Sequence, residues 1–405
     1  MVVEQLDDLT VGQRVARCRK ARGMSQEVLA HLLGRSPSWL TKVERGERQL
    51  DRMSLMVEIA RALEVDLTEI TGQPYRPITG GTTHATVPAL RRVLLSYDGH
   101  DGDPSLPDGV DPIPVLRARL HAVNELRHDA AYDRLGDCLP AVLEDIHRAC
   151  VTLQGHDREQ ALELLVDGCH CARSMLRMLG YVDLAWIAVK RAGQAAARLG
   201  DPLLQAANVW NRVEVLFATG AASTGVELAL AAIDELDADL GTAPPEHLSL
   251  LGIMHLKAAW GSAYVGDERQ ARIHALEAEQ AAALIGGDRN DFGTVFGPTN
   301  LTIHRIGLAM ELGDAPEALR LAASIDPRAV PYRERRARLH LDLARAHAQF
   351  RRQDLAIGLL LESERAAPNY LRNHPVAREI VTGMMHRPRA TSTDLRALAV
   401  KVGAC

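Results

Sequence analysis

Between residues 10 and 72, apolar positions recur in five short runs at the three- and four-residue steps of helix faces. Val11 and Val15 predict a first helix at about 10–22. Val28, Leu29, Leu32 and Leu33 form the apolar face of a second, and Leu40 with Val43 that of a third. Residues 53–63 read as a fourth, and Leu67 with Ile70 as a short fifth. Local punctuation agrees with these runs. Ser25 is a good N-cap, and Glu27 places a negative charge in the first turn, where the helix dipole favours it. Ala30 is small enough to let another helix cross closely. Gly34 can take the positive φ that ends a helix. Ser36 then caps the next helix, and Pro37 occupies its first position, where a missing N–H costs nothing. With Leu40 and Val43 inward, Ser38, Trp39, Thr41 and Lys42 have to face outward. Two short helices joined by a glycine-bearing turn are the layout that sets one helix in the DNA major groove.

From residue 115 onward only helical patterns are visible. Turn signals fall at Gly180, Gly220, Gly266-Asp267, Gly313-Asp314 and Gln353-Asp354, spaced 40, 46, 47 and 40 residues apart. A second series lies between them at Gly200-Asp201-Pro202, Pro244-Pro245, Gly286-Gly287-Asp288, Asp326-Pro327 and Pro368. Each period therefore holds two helices and two turns, the signature of a helix-hairpin solenoid. Residues 73–83 break the helical pattern with two prolines and two glycines, and 98–114 read as an exposed loop. Between them Val87, Leu90, Val93 and Leu94 sit at helical spacing. The predicted chain is all-α: a five-helix domain at 1–75, a linker with a short helix at 76–114, and a repeat domain at 115–405.

Stacked hairpins curve, and the first helix of each commonly lines the concave face. Here those helices carry Gln205, Asn208, Asn211, Arg212 and His255. Asn300 and His304, four apart, share one helix face. Phe296 belongs to the Gly-rich segment just before them. Asparagine can donate to and accept from an extended peptide backbone. These eight residues are the candidate ligand set; the competing reading is hydrogen bonding between helices.

Composition changes the picture in a few places. A chain of 405 residues suggests two or more domains, and 47% hydrophobic with 4% aromatic residues predicts an Ala/Leu/Val core. The longest aliphatic run, 355–361, is short and bounded by Asp354 and Glu362, so no membrane span is expected. The acidic N-terminus lacks a signal-peptide pattern, which predicts a cytoplasmic protein, nucleoid-associated when bound to DNA. Cys169 and Cys171 flank His170, but two residues apart on a helix lean to opposite faces. They read as buried free thiols, with no metal site. No phosphate loop, metal-spaced His/Glu set or nucleophile elbow is present, so neither an enzyme nor a cofactor is expected. Between 10 and 52, ten Arg and Lys stand against four Asp and Glu, a surplus of six on a chain of net charge −5. Such a patch is what phosphate contact needs.

Over 10–72 the pattern Ser25-Gln26-Glu27, Leu29-Ala30, Gly34, Ser36-Pro37-Ser38, Leu40, Val43 and Glu44-Arg45-Gly46 resembles the lambda-repressor-like helix-turn-helix of xenobiotic-response-element type. Arg35 departs from it, where that family usually has an apolar residue. The resemblance implies double-stranded DNA as partner. It places Gln26, Ser36, Arg45 and Arg48 at phosphates. It places Pro37, Ser38, Trp39, Thr41 and Lys42 at base edges, with Lys42 able to reach guanine O6/N7. Trp39 reads equally as a half-buried packing residue. The repeats look like divergent tetratricopeptide units, with HEAT-like units as the alternative. The combination is similar to an actinobacterial group of repeat-bearing regulators and, more distantly, to peptide-pheromone receptors. Phe296-Gly297-Pro298-Thr299-Asn300, residues 335–342 and residues 394–399 carry the former likeness. It implies a sequence-specific, homodimeric transcriptional regulator that senses a peptide or small molecule. The alternative is an adaptor whose repeats grip a protein partner while the head recruits it to DNA.

Overall fold

The computed structural model describes residues 9–74, 83–96, 109–236, 241–386 and 392–404, and no strand occurs among them. The head comprises α1 (Val11–Ala21), α2 (Gln26–Leu32), α3 (Pro37–Glu44), α4 (Met53–Ala62) and α5 (Leu67–Thr71). Side-chain caps set three of its starts. Thr10 and Gln13 form a reciprocal capping box, Ser25 Oγ accepts Val28 N at 3.2 Å, and Ser36 Oγ accepts Trp39 N at 3.1 Å. Gly34 takes φ 59° between α2 and α3. Val15, Leu29, Leu40, Met56 and Ile70 are all fully buried in the shared core. The predicted apolar face of α2 is only half right. Leu29 and Leu33 pack inward, whereas Val28 and Leu32 are 50% and 56% exposed. A seven-residue helix crossing α3 buries one narrow stripe, and Ala30 takes the second inward position.

α6 (Val87–Leu95) is no free tether. It buries Val87, Leu90, Val93 and Leu94, and Arg191 Nη1 donates to Val93 O at 2.9 Å. Most of the predicted flanking loops lies outside the described residues.

Six hairpins follow: α7 (Ile113–His128) with α8 (Tyr132–Thr152), α9 (Gly155–Met178) with α10 (Val182–Leu199), and α11 (Pro202–Ala218) with α12 (Ala222–Glu235). Then come α13 (Pro245–Val265) with α14 (Glu268–Ile285), α15 (Pro298–Leu312) with α16 (Ala315–Ala322), and α17 (Arg333–Gln349) with α18 (Gln353–Ala366). Three shorter helices, α19 (Pro368–Asn373), α20 (Pro375–Met385) and α21 (Thr393–Val402), end the described chain. Cys169 and Cys171 on α9 are free and buried.

The stack does not remain an open curve. Its first hairpin touches the segments flanking its last: Asn369 Nδ2 of α19 donates to Asp133 Oδ2 at 3.2 Å, and the His128 ring stacks on Tyr332, just before α17, at 4.2 Å. One apolar cluster runs from α6–α10 into α17–α21. The superhelix therefore closes into a ring with its first helices inward. α13 is buried on almost every face.

The head sits against the inside of this ring. Ser54 N donates to Glu311 Oε2 at 3.2 Å, so a ring carboxylate serves the start of α4. Arg345 Nη2 donates to Asp51 O at 2.7 Å and to Glu311 Oε1 at 2.8 Å, and its Nη1 to Asp342 Oδ1 at 2.8 Å. Leu50 N reaches Glu379 Oε2 at 3.4 Å, and Gln73 Nε2 donates to Asn373 O at 2.8 Å. Met53 packs against the cores of head and ring at once. Among the described residues, no helix is long and apolar enough to cross a membrane.

Candidate nucleic-acid interface and the cavity behind it

α3 is fixed from below by a polar network that the sequence did not disclose. Arg19, buried on α1, donates to both Glu44 carboxylate oxygens at 2.6 and 2.9 Å. Gln26 Nε2 donates to Glu44 Oε2 at 2.7 Å, and Thr41 Oγ1 donates to Gln26 Oε1 at 3.0 Å. Burial alone raises the Glu44 carboxyl, but the hydrogen bonds from Arg19 and Gln26 outweigh it and hold it below its ordinary value. Charged, bidentate bonds of this kind set both the rotation and the tilt of α3.

The network sorts the candidate residues. Gln26 and Thr41 are partly committed to it. Ser36 Oγ is occupied as an acceptor by the α3 cap and retains its own proton to donate. Pro37, Ser38, Lys42, Arg45 and Arg48 are exposed. Trp39 is half-buried against the head core, and the Arg35 guanidinium lies 5.8 Å from its ring centroid. That contact gives Arg35, the departure from the family pattern, a physical use. The basic surplus is not all one surface. Arg14 and Arg19 are buried, Arg22 pairs with Glu64 at 2.8 Å, and Arg52 Nη1 faces the ring at Glu311 O. Arg35, Lys42, Arg45 and Arg48 remain around α3, with Glu47 3.9 Å from Arg45.

The eight ligand candidates do not converge. Asn208 bonds His170 at 3.2 Å, and Asn211 is fully buried, accepting from Arg173 and donating to Ala207 O at 2.8 Å. Gln205 is exposed. Arg212 stacks on Trp186, and His255 pairs with His274 at 3.1 Å. Phe296 is completely buried against Gly252, where a Cβ would meet its ring at 2.0 Å. Asn300 is buried at 2% exposure, with both amide atoms unpartnered among the described residues. Only His304 reaches the cavity at the centre of the ring.

That cavity, about 190 Å³, is walled by the ring's first helices and by Met53, Leu67, Thr71 and Gln73 of the head. Its side chains are unlike the rest of the core. Seven Arg and Lys face four Asp and Glu there. Arg127, Arg173 and Arg177 come from the first two hairpins, and Lys257 from α13. Arg335, Arg338 and Arg345 come from one face of α17. Glu214 ties three of them, pairing with Lys257, with Arg177 at 3.3 Å and with Arg173 at 3.9 Å. Burial pulls the Lys257 ammonium down to about 8 in spite of Glu214, leaving it charged at pH 7. Burial also holds His304 well below the ordinary imidazole range, helped by Arg338 and Lys257, so that ring is neutral. The spacing 335, 338, 345 was the available signal, because it puts three arginines on one helix face.

The family model described as a helix-turn-helix domain matches residues 10–71. The head is a helix-turn-helix domain. Its match ends where α5 ends, so the ring lies outside it. No curated protein matches the chain. Among solved structures, the chain is similar to PlcR of Bacillus thuringiensis, crystallised with the peptide PapR7 and DNA. The identity is 12% over 68% of this chain and 95% of that one, with a TM-score of 0.30. A likeness that loose carries no argument about ligand or assembly. The helix-turn-helix domain thus shows solvent its α3 surface and turns its opposite side to the ring.

Proposed function

We propose that the chain is a sequence-specific, DNA-binding transcriptional regulator whose ring senses an effector and governs how the helix-turn-helix domain is presented. One observation supports this above the others. The α3 surface of the head is exposed while residues 50–54 and Gln73, on its other side, are held by the ring. A rigid reading helix joined to a sensor through a few polar contacts suits transmission between them. Lys42 and Ser38 read base edges; Arg45, Arg48, Gln26 and Ser36 hold phosphates. A homodimer would place two α3 helices about one DNA turn (~34 Å) apart. A protein partner gripped by the repeats is the weaker reading, because the head already occupies the inside of the ring.

The test compares two substitutions on duplex from the gene's own upstream region and on scrambled duplex. Lys42→Ala should weaken specific binding and relax base preference, at a cost of about 1–3 kcal/mol. Arg45→Ala should weaken binding to all sequences and flatten the salt slope by about 0.9. Identical losses from both on every sequence would remove α3 as the reading helix.

A further inference from the structure

The cavity between head and ring combines three properties that ordinary packing does not explain. Its cations exceed its carboxylates by three, seven against four, inside a chain of net charge −5. Buried charge without matching counter-charge is costly, so such an excess is unusual unless an anion completes it. Four polar ring atoms in its wall lack a partner among the described residues: His374 Nδ1 and, on more deeply buried side chains, Trp210 Nε1, Trp260 Nε1 and His304 Nδ1. The last three side chains are 6%, 9% and 2% exposed, and buried polar groups are otherwise almost always satisfied. Aromatic rings are concentrated here as well. Six of the chain's fifteen Phe, Trp and Tyr line this one cavity, although the core elsewhere is alanine and leucine.

Size narrows the occupant. An apolar cavity of ~150 Å³ holds benzene. About 190 Å³ accepts one ring with a small substituent, and the head stands where an extended peptide would lie along the inner helices.

We infer that this cavity binds a compact anion built on a single flat ring, such as an aromatic carboxylate or a ring phosphate ester. The ring of the ligand lies among the tryptophans and tyrosines, and its anionic group meets Arg338, Lys257 and Arg173. Arg338 is the best placed of these, with its guanidinium 4.9 Å from the Trp260 centroid and 4.0 Å from Asp342. The inference rests on the proposed regulatory function and names the effector class for it. Because Met53, Leu67 and Gln73 form part of the wall, an occupant touches head and ring together. Its differential affinity for the docked arrangement is what would alter DNA binding.

The experiment uses the full chain. Tryptophan fluorescence and melting temperature are followed during titration with benzoate, phenyl phosphate, neutral benzamide, inorganic phosphate and a mixture of acidic heptapeptides. Trp210 and Trp260, two of the four tryptophans, report the cavity directly. At least one of the two ring anions should give a saturable change, with benzamide and inorganic phosphate at least tenfold weaker. Arg338→Gln should weaken that response tenfold or more. Trp260→Phe keeps the ring packing but removes its N–H, and should weaken it several-fold, which covers the case of a misfolded Arg338 variant. No response to either ring anion, an equal response to benzamide, or saturation by the peptides alone overturns the inference. Specific DNA binding is measured on the same preparations. DNA binding without anion binding sinks only the effector class, whereas anion binding without specific DNA binding sinks the regulatory reading.

Discussion

Replacing Arg345 by methionine should release the head from the ring. Arg345 is 3% exposed and joins Glu311, Asp342 and the backbone of Asp51 through three hydrogen bonds of 2.7–2.8 Å. Burial lowers a guanidinium, but Glu311 and Asp342 outweigh it and raise this one, so the cation is firmly present. Methionine fills similar space and leaves both carboxylates, 1% and 7% exposed, without their shared partner. Removing one member of a buried pair costs about 3–5 kcal/mol, because the other charge stays desolvated. Unfolding the whole ring is not required to relieve that cost. Undocking the head rehydrates Glu311, so the docking equilibrium should shift by roughly a hundred- to several-thousand-fold. Hydrogen exchange resolves this. The amides of Leu50 and Ser54, which donate to Glu379 and Glu311, should lose protection while the middles of α13 and α9 keep theirs. Adding Glu311→Gln to the variant should restore much of the protection, since removing both charges is far cheaper than removing one. Unchanged exchange at 50–54, or a uniform loss across the ring, would refute the reasoning.

Docking should also depend on pH through Glu379. Burial pushes its carboxyl from 4.5 up to about 7, with Asp51 adding to the rise while Arg378 and the backbone N–H groups of Leu50 and Val11 oppose it. A carboxyl that binds its proton more tightly when docked favours docking at low pH, and that advantage fades as pH rises from about 4.5 through 7. Protection at Leu50 should therefore fall over that window, and Glu379→Gln should abolish the dependence; a wild-type profile in the variant speaks against this group. Phe296→Ala should cost about 3–5 kcal/mol of stability, read as a lowered thermal midpoint, because the ring fills the space above Gly252; an unchanged midpoint would show that the residue is not core. Gln26→Ala should weaken DNA binding both by removing a phosphate contact and by loosening α3, the second visible as faster exchange at Thr41 and Lys42 amides. If affinity falls with exchange unchanged, Gln26 acts by touching DNA and not through Glu44.

The helix boundaries of the head were legible because their causes are local. Ser25, Ser36 and Gly34 act within four residues of themselves, and each does so in the structure. The hairpin periods were legible for the same reason. Closure of the ring was not, because Asp133 and Asn369 are 236 residues apart and neither is distinctive alone. The docked head was hidden likewise: Glu311, Arg345 and Glu379 read as ordinary charges on helices. Polar residues on first helices misled the ligand reading in a specific way. Asn208 and Asn211 are inward, but they face neighbouring helices at His170 and Arg173 and not the central space. Hydrophobic periodicity says which face is buried; it does not say whether the neighbour is another helix or a cavity. The charged face of α17, with Arg335, Arg338 and Arg345 in helical register, carried that information.

The proposed function stands on α3 reading DNA sequence. The direct measurement is selection of bound sites by the full-length protein from a random duplex library, followed by affinities for the selected and scrambled duplexes at physiological salt. A reading helix at α3 should give a shared motif and a preference of roughly 10³-fold or more, as for specific DNA-binding proteins generally. No enriched motif, with equal affinities for both duplexes, would contradict it.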